Sequence, residues 1–198
     1  MDIMVIVYAI LAYLIGSIPS GLIIGKTFFY TDVRQYGSKN IGATNTYRVI
    51  GLKAALPVFL CDALKGAAGV VLLSSYGPMY MILGGILAMM GHNWSIFLGF
   101  KGGRGVATGL GVLIALSPLV ALIALLVWGV IVYFTKLVSL GSIIAAALVP
   151  ILMYFTGESY WFVGFGALAA LFVIVRHWDN IKRLLAGNEL KVERIKKD

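Results

Sequence analysis

Residues 106–134 read VATGLGVLIALSPLVALIALLVWGVIVYF, 29 residues without a charge. A transmembrane helix needs about 20 mostly apolar residues to cross a hydrocarbon core of roughly 30 Å. As one helix this stretch would reach about 44 Å, and as a hairpin, split near Ser117-Pro118, its arms would average about 22 Å. Neither length matches a single crossing, so charge has to decide between one span and a hairpin. Upstream, apolar spans run from about Ile3 to Ile24 (interrupted at Gly16-Ser17-Ile18-Pro19), Ala54 to Ser74 and Met79 to Leu98. Downstream they run from Val138 to Phe155 and from Tyr160 to Val175.

With a hairpin the chain has seven spans, and all of its 16 Lys and Arg except Lys65, inside a span, fall on one side. That side holds Lys26, Arg34, Lys39, Arg48, Lys53, Lys101, Arg104, Lys136, Arg176 and the six cations of the tail, Lys182 to Lys197. The other side holds only Asp2 and Glu158. A single span would send Lys136 and the tail across, against the retention of Lys and Arg in the cytoplasm. The expected architecture is an all-α integral membrane protein, one domain over 1–198. It has seven transmembrane helices, N-terminus outside and C-terminus cytoplasmic. The short hairpin would draw the 101–104 loop toward the membrane.

Composition agrees. Of 198 residues, 61% are hydrophobic and 12% charged, with a net charge of +8. Soluble domains carry about twice that charged fraction, and disorder needs low hydrophobicity. Nucleic-acid binding is disfavoured, because these cations are anchored to a bilayer. Met1-Asp2-Ile3-Met4 lacks a basic n-region, so the first span reads as retained. The single cysteine, Cys61, offers neither an internal disulfide nor a zinc spacing, and carboxylates are too few to suggest a metal. No cofactor is expected.

Several patterns imitate other chemistry. Gly25-Lys26-Thr27 resembles the end of a phosphate-binding loop but lacks its first glycine and a preceding strand. The run from Gly164 to Ala169 mimics a dinucleotide fingerprint inside a span, where helix packing accounts for small residues, as it does for Gly21 and Gly25. No GxSxG elbow is present, and neither histidine has the aspartate of a histidine–aspartate acyltransferase box.

Three constellations lie on the cationic side. The loop Gln35 to Arg48 carries Gly37, Ser38, Asn40, Gly42, Thr44, Asn45 and two cations, a donor set suited to an oxyanion such as phosphate. Near His92, Lys101-Gly102-Gly103-Arg104-Gly105 opens the fourth span. Two cations sit badly at a positive helix end, and an anion between them would resolve that. The third begins at Arg176-His177, with Arg176, Asn180 and Arg183 at the spacing of one helical face; residues from Lys191 to Lys197 read as a basic tail on anionic lipid. Within the second span, Asp62 and Lys65 can neutralise each other as either a functional or a structural pair.

These motifs, in this order, resemble the bacterial membrane acyl-phosphate:glycerol-3-phosphate acyltransferases (PlsY type) across essentially the whole chain. The match includes Gly16-Ser17-Ile18-Pro19, the loop ending at Arg48, Asp62 to Gly66, Gly91-His92, Phe100 to Thr108, Val138 to Ser142, and the tail through Glu189. Three positions depart from the family: Lys39 where glycine is common, Arg104 where lysine is common, and Trp178 where a basic residue is expected. The resemblance implies transfer of a fatty acyl group from acyl phosphate to the 1-hydroxyl of sn-glycerol 3-phosphate, without an acyl-enzyme. The products are lysophosphatidic acid and phosphate, the first step of membrane phospholipid synthesis. It also implies a bacterial cytoplasmic membrane location with the site facing the cytoplasm, and supply of the donor by a soluble acyl-phosphate-forming enzyme.

On this reading Ser38, Thr44, Asn45 and Arg48 hold the acyl-phosphate headgroup, and Lys101, Arg104, Ser142, His177 and Asn180 hold glycerol 3-phosphate. Gly37, Asn40, Gly42, Asp62, Lys65, His92, Gly102, Gly103, Gly105 and Glu189 complete the expected site. The acyl tail would lie between helices, reaching the site from lipid. A transporter for a phosphorylated solute is the alternative, supported by the Asp62–Lys65 pair and the break at Pro19. The absence of a matching polar set on the other face argues against it.

Overall fold

The computed structural model describes residues 2–194, and every regular element among them is helical. Ten α-helices follow in order: α1 (Ile3–Ser17), α2 (Ser20–Phe29), α3 (Ala43–Val49), α4 (Leu52–Leu72), α5 (Pro78–Asn93), α6 (Val106–Leu116), α7 (Pro118–Thr135), α8 (Val138–Phe155), α9 (Tyr160–Arg176) and α10 (Trp178–Leu185). Of the expected lipid-bound tail, residues 195–197 lie outside the described residues.

The 106–134 stretch breaks at Ser117, though unequally. Pro118 lacks an N–H and begins α7 at a position where none is needed, while the Ser117 N–H closes α6 on the Leu113 carbonyl. The arms are 11 and 18 residues, about 16 and 27 Å. They fold back on each other. Ser117 Oγ donates to the Glu158 carboxylate in the α8–α9 connection, whereas Lys136, beyond α7, accepts from Val192 N at 2.9 Å at the tail end. Four helical segments are long and apolar enough to cross a bilayer alone, and the bent pairs α1–α2 (46°) and α9–α10 (62°) raise the number to six. α6 is apolar but shorter.

Small residues hold the helices together, because in lipid close backbone approach replaces the hydrophobic drive. A Cβ built on Gly16 would stand 2.3 Å from Ala88 O, joining α1 to α5. One on Gly111 would stand 1.8 Å from Ala63 O, joining α6 to α4. Leu126, Phe134, Phe155 and Leu171 meanwhile point outward.

The α1–α2 break frees carbonyl groups that a buried helix end cannot leave unpaired. Ser95 Oγ donates to Ser17 O at 2.5 Å, and Lys65 Nζ to Ile18 O at 3.0 Å. Lys65 is also paired with Asp62 Oδ1 at 2.7 Å. The intramembrane ion pair therefore closes the broken helix.

The single helical face expected for Arg176, Asn180 and Arg183 is not formed. α9 ends at Arg176, and the 62° bend at His177 puts Asn180 and Arg183 on a different helix from Arg176.

Candidate active site

The loop between α2 and α3 is organised by Asn45. Its Nδ2 donates to Val33 O (2.8 Å), Asn40 O (2.9 Å) and Tyr36 O (3.2 Å), and its Oδ1 accepts from Ser38 N at 2.9 Å. Both amide hydrogens are spent on the loop, so Asn45 shapes the donor set and has none left to offer a phosphate. Asn40 shares only part of this role: its Oδ1 accepts from Gly42 N at 2.8 Å, while its Nδ2 is not committed to the loop. Gly37 and Lys39 both adopt left-handed backbone, each with φ of 58°. This gives a physical reason for glycine to be common at position 39. A Cβ at Gly21 would lie 1.8 Å from Ile41 O, so the small face of α2 packs on this loop rather than on another helix. What remains for chemistry is the Ser38 and Thr44 hydroxyls, the Asn40 Nδ2 group and Arg48.

Arg48 is buried, and the tail meets it: Nε donates to Lys191 O at 2.9 Å and Nη2 to Leu190 O at 2.6 Å. Burial pulls its guanidinium below the ordinary arginine value. Arg194 reaches Ile50 O at 3.1 Å, strapping the tail across the start of α4.

The glycine run before α6 differs from its expected use. Gly102 N donates to Asn93 O (3.1 Å) and Gly103 N to His92 O (2.9 Å), so these amides cap α5 and do not face a ligand. A Cβ at Gly103 would sit 2.0 Å from His92 Nε2, which is why the run is glycine. Lys101 is exposed and turned away from the cavity, and Arg104 takes the inner position. Burial, with the positive charge of Arg183 next, pushes the Arg104 guanidinium down to about 10. It still carries its charge at neutral pH, without a hydrogen bond or ion pair among the described residues.

At the end of α9, His177 Nδ1 lies 2.8 Å from Val173 O. A carbonyl only accepts, so Nδ1 carries the proton and Nε2 is the lone-pair nitrogen of the neutral ring. Asn180 Nδ2 donates to Glu189 Oε1 at 2.5 Å, Ser139 Oγ to the same oxygen at 2.9 Å, and Arg183 Nε to Oε2 at 2.7 Å. Glu189 thus ties α8 to α10. Burial alone would raise its pKa, but the bonds from Asn180, Arg183 and Ser139 hold it below the ordinary 4.5. Ser142 donates back to Val138 O at 2.9 Å.

A cavity of about 500 Å³ joins these groups. Its polar end is lined by Ser38, Asn40, Gly42, Thr44, Asn45, Arg48, Arg104, Gly105, Ser139, Ser142, His177, Asn180 and Glu189, with Asp62 and His92 on one wall. It continues between α4, α6, α7, α8 and α9 as an apolar channel past Phe59, Leu110, Leu113, Leu125, Val149 and Phe165. Gly37, Lys65, Lys101, Gly102 and Gly103, expected in the site, do not line it. Ser139 and Val192 line it unannounced. Ser139 belongs to the Val138–Ser142 motif, but only the fold brings it to Glu189. Nothing in the local sequence marks Val192.

A family model described as glycerol-3-phosphate acyltransferase matches residues 6–187. The chain belongs to this family. A glycerol-3-phosphate acyltransferase of Fusobacterium nucleatum is 47% identical over 186 residues, covering 93% of this chain and 96% of that one. Glycerol-3-phosphate acyltransferase 2 of Moorella thermoacetica is also 47% identical, over 92% of this chain and 95% of its own. The crystal structure of PlsY (YgiH), an integral membrane glycerol 3-phosphate acyltransferase in its glycerol 3-phosphate form, superposes with a TM-score of 0.90. The two are 38% identical over 94% of each chain. Its lysophosphatidic acid form gives 0.87 at 37% identity.

Proposed function

We propose that this chain transfers a fatty acyl group from acyl phosphate to the 1-hydroxyl of sn-glycerol 3-phosphate, giving lysophosphatidic acid and inorganic phosphate. The observation that carries this reading is a cavity of about 500 Å³ whose cationic, hydroxyl-rich end opens into an apolar channel. Such a shape suits a donor that is an anion at one end and a hydrocarbon at the other. The acceptor and product agree with the ligand forms of the PlsY structures. The donor rests on the resemblance of the motifs.

Acyl phosphate is a mixed anhydride and is already activated. The acceptor hydroxyl attacks the acyl carbonyl carbon, the new ester C–O bond forms, and the bond to the phosphate oxygen breaks. Phosphate departs with the electron pair. The protein's part is to hold two phosphates close and offset their charge. Arg48, with the Ser38 and Thr44 hydroxyls, serves the donor phosphate. Arg104, with Ser142 and His177, serves glycerol 3-phosphate. Arg104 replaces Lys101 in that role, and Asn180 acts through Glu189. The hydroxyl proton has two acceptors within the proposal, His177 Nε2 and a substrate phosphate oxygen. Membrane lipid surrounds seven spans, α6 being the short fourth. The N-terminus lies outside, and the site faces the cytoplasm of a bacterial inner membrane. A soluble enzyme supplies the acyl phosphate.

The test is purified protein given acyl phosphate and glycerol 3-phosphate, with phosphate release and lysophosphatidic acid both measured. Arg48→Ala and Arg104→Ala should each lower kcat/KM by at least about a hundredfold, the scale of a lost charge-stabilising donor. Wild-type turnover in both variants would end the two-clamp model. Equal product from acyl-CoA or acyl carrier protein would change the donor. His177→Asn separates the proton acceptors: retention of most activity assigns the proton to a substrate phosphate.

A further inference from the structure

Arg104 enters the cavity from a glycine run with no side chains of its own to hold it. Gly103, the residue immediately before it, is fixed by contacts from two other parts of the fold. Its N–H donates to His92 O at 2.9 Å, and its Cα lies directly against the His92 ring, where an added Cβ would stand 2.0 Å from Nε2. Its carbonyl accepts from Arg176 Nη2 at 2.8 Å. That carbonyl belongs to the peptide group whose N–H is Arg104's own, so a bond to Gly103 O sets the direction in which the chain enters Arg104.

Arg176 is itself held. Its guanidinium carbon stands 5.9 Å over the ring of Trp94, at the end of α5. Trp94 packs edge-on against Phe172, one turn earlier on α9, with ring centroids 4.9 Å apart. The Trp94 carbonyl accepts from Tyr13 OH on α1 at 2.7 Å. A planar cation stacked on an indole keeps one orientation of its N–H fork, which a flexible ammonium does not. The next residue after Arg176 is His177, which lines the same cavity as Arg104. One side chain therefore links the end of the helix that presents His177 to the loop that presents Arg104.

We propose that Arg176 is a positioning residue for the acceptor half of the reaction, setting Arg104 through the Gly103 carbonyl. Stacking on Trp94 keeps the Arg176 fork aimed. The proposal rests on the acyltransferase reading above and on Arg104 binding glycerol 3-phosphate, and it adds a residue that does not line the cavity. Displacing a catalytic group by about an ångström can cost on the order of a hundredfold, so loss of the Gly103 bond should be visible in kinetics.

The experiment measures both substrates' KM and kcat for wild type, Arg176→Gln, Arg104→Gln and the double variant, with thermal stability recorded for each. Arg176→Gln should raise the KM for glycerol 3-phosphate at least about tenfold, the scale of one charge-assisted hydrogen bond, and leave the acyl-phosphate KM within about twofold. Added to Arg104→Gln it should cost less than about twofold more, because groups acting through one another are not additive. Fully multiplicative losses, or equal rises in both KM values, would make Arg176 a general structural residue and overturn the proposal. An Arg104→Gln variant with wild-type kinetics would instead overturn the role of Arg104 itself. Arg176→Lys retains a cation and an N–H for Gly103, and it carries the test if the glutamine variant does not fold. A rise of about threefold in glycerol 3-phosphate KM that vanishes on adding Arg104→Gln supports the proposal. Unchanged kinetics in Arg176→Lys together with an unfolded Arg176→Gln overturns it.

Discussion

Lys39 sits with φ of 58° in a loop held by hydrogen bonds to Asn45 and Asn40 and by its own N–H to Tyr36 O at 3.0 Å. Left-handed backbone costs an L-residue with a Cβ roughly 1 kcal/mol, and glycine avoids that cost at some loss of unfolded-state entropy. Lys39→Gly should therefore stabilise the protein by up to about 1 kcal/mol. For a chain of this size that is about 2–4 °C in melting temperature, measurable by fluorescence in detergent with activity retained. A lower melting temperature would mean that the lysine side chain makes a contact worth more than the strain. The departure at position 39 was legible in the sequence, because a motif glycine was missing. The division of labour inside the loop was not. Asn40 and Asn45 look alike as ligand donors when read as residue types, and only the backbone path reveals that the Asn45 amide hydrogens are already engaged. The same holds for Gly102 and Gly103, whose N–H groups cap α5.

Among the elements, the α10–tail segment depends most on one ionised group. Glu189 collects Ser139, Asn180 and Arg183 on a single carboxylate, and the following residues hand their carbonyls to Arg48. Its folded-state value lies below the ordinary 4.5. A depressed carboxylate contributes stability that is fully present above the unfolded value and is lost as pH falls through the folded one. The segment should thus be insensitive to pH from neutrality down to about 5 and loosen below the ordinary glutamate value. Melting temperature against pH, for wild type and Glu189→Gln, checks this. The wild-type curve should fall in acid toward that of the variant, whose own curve is flatter. Parallel curves would show that other carboxylates govern acid stability. Sequence spacing had suggested one continuous face from Arg176 to Arg183, and periodicity carries no warning of a 62° bend at His177. The Ser117-Pro118 break was readable from length and charge, because 29 uncharged residues exceed one crossing; proline alone does not mark a break, since Pro57 and Pro150 sit inside α4 and α8.

For the whole molecule, the two features that favoured a transporter have local explanations. The broken first helix and the buried Asp62–Lys65 pair satisfy each other through Ile18 O, so neither requires a moving substrate. Orientation is then the remaining global question, and the hairpin makes it testable. Lys136 meets the tail at Val192, while Glu158 meets Ser117 at the far end of α6 and α7. With the tail cytoplasmic, a cysteine at 158 should react with an impermeant maleimide in intact spheroplasts. A cysteine at 136 should react only after the membrane is opened, both in a Cys61→Ala background. If 106–134 crossed only once, with the N-terminus outside, the two labels would exchange places. A single crossing would also keep Arg48 and Arg104 on the cytoplasmic face and put His177, Asn180 and Glu189 outside, dividing a cavity that all five line. The retention of Lys and Arg on one side and the assembly of one site from both halves of the chain therefore stand or fall on one labelling pattern: reactive at 158, protected at 136.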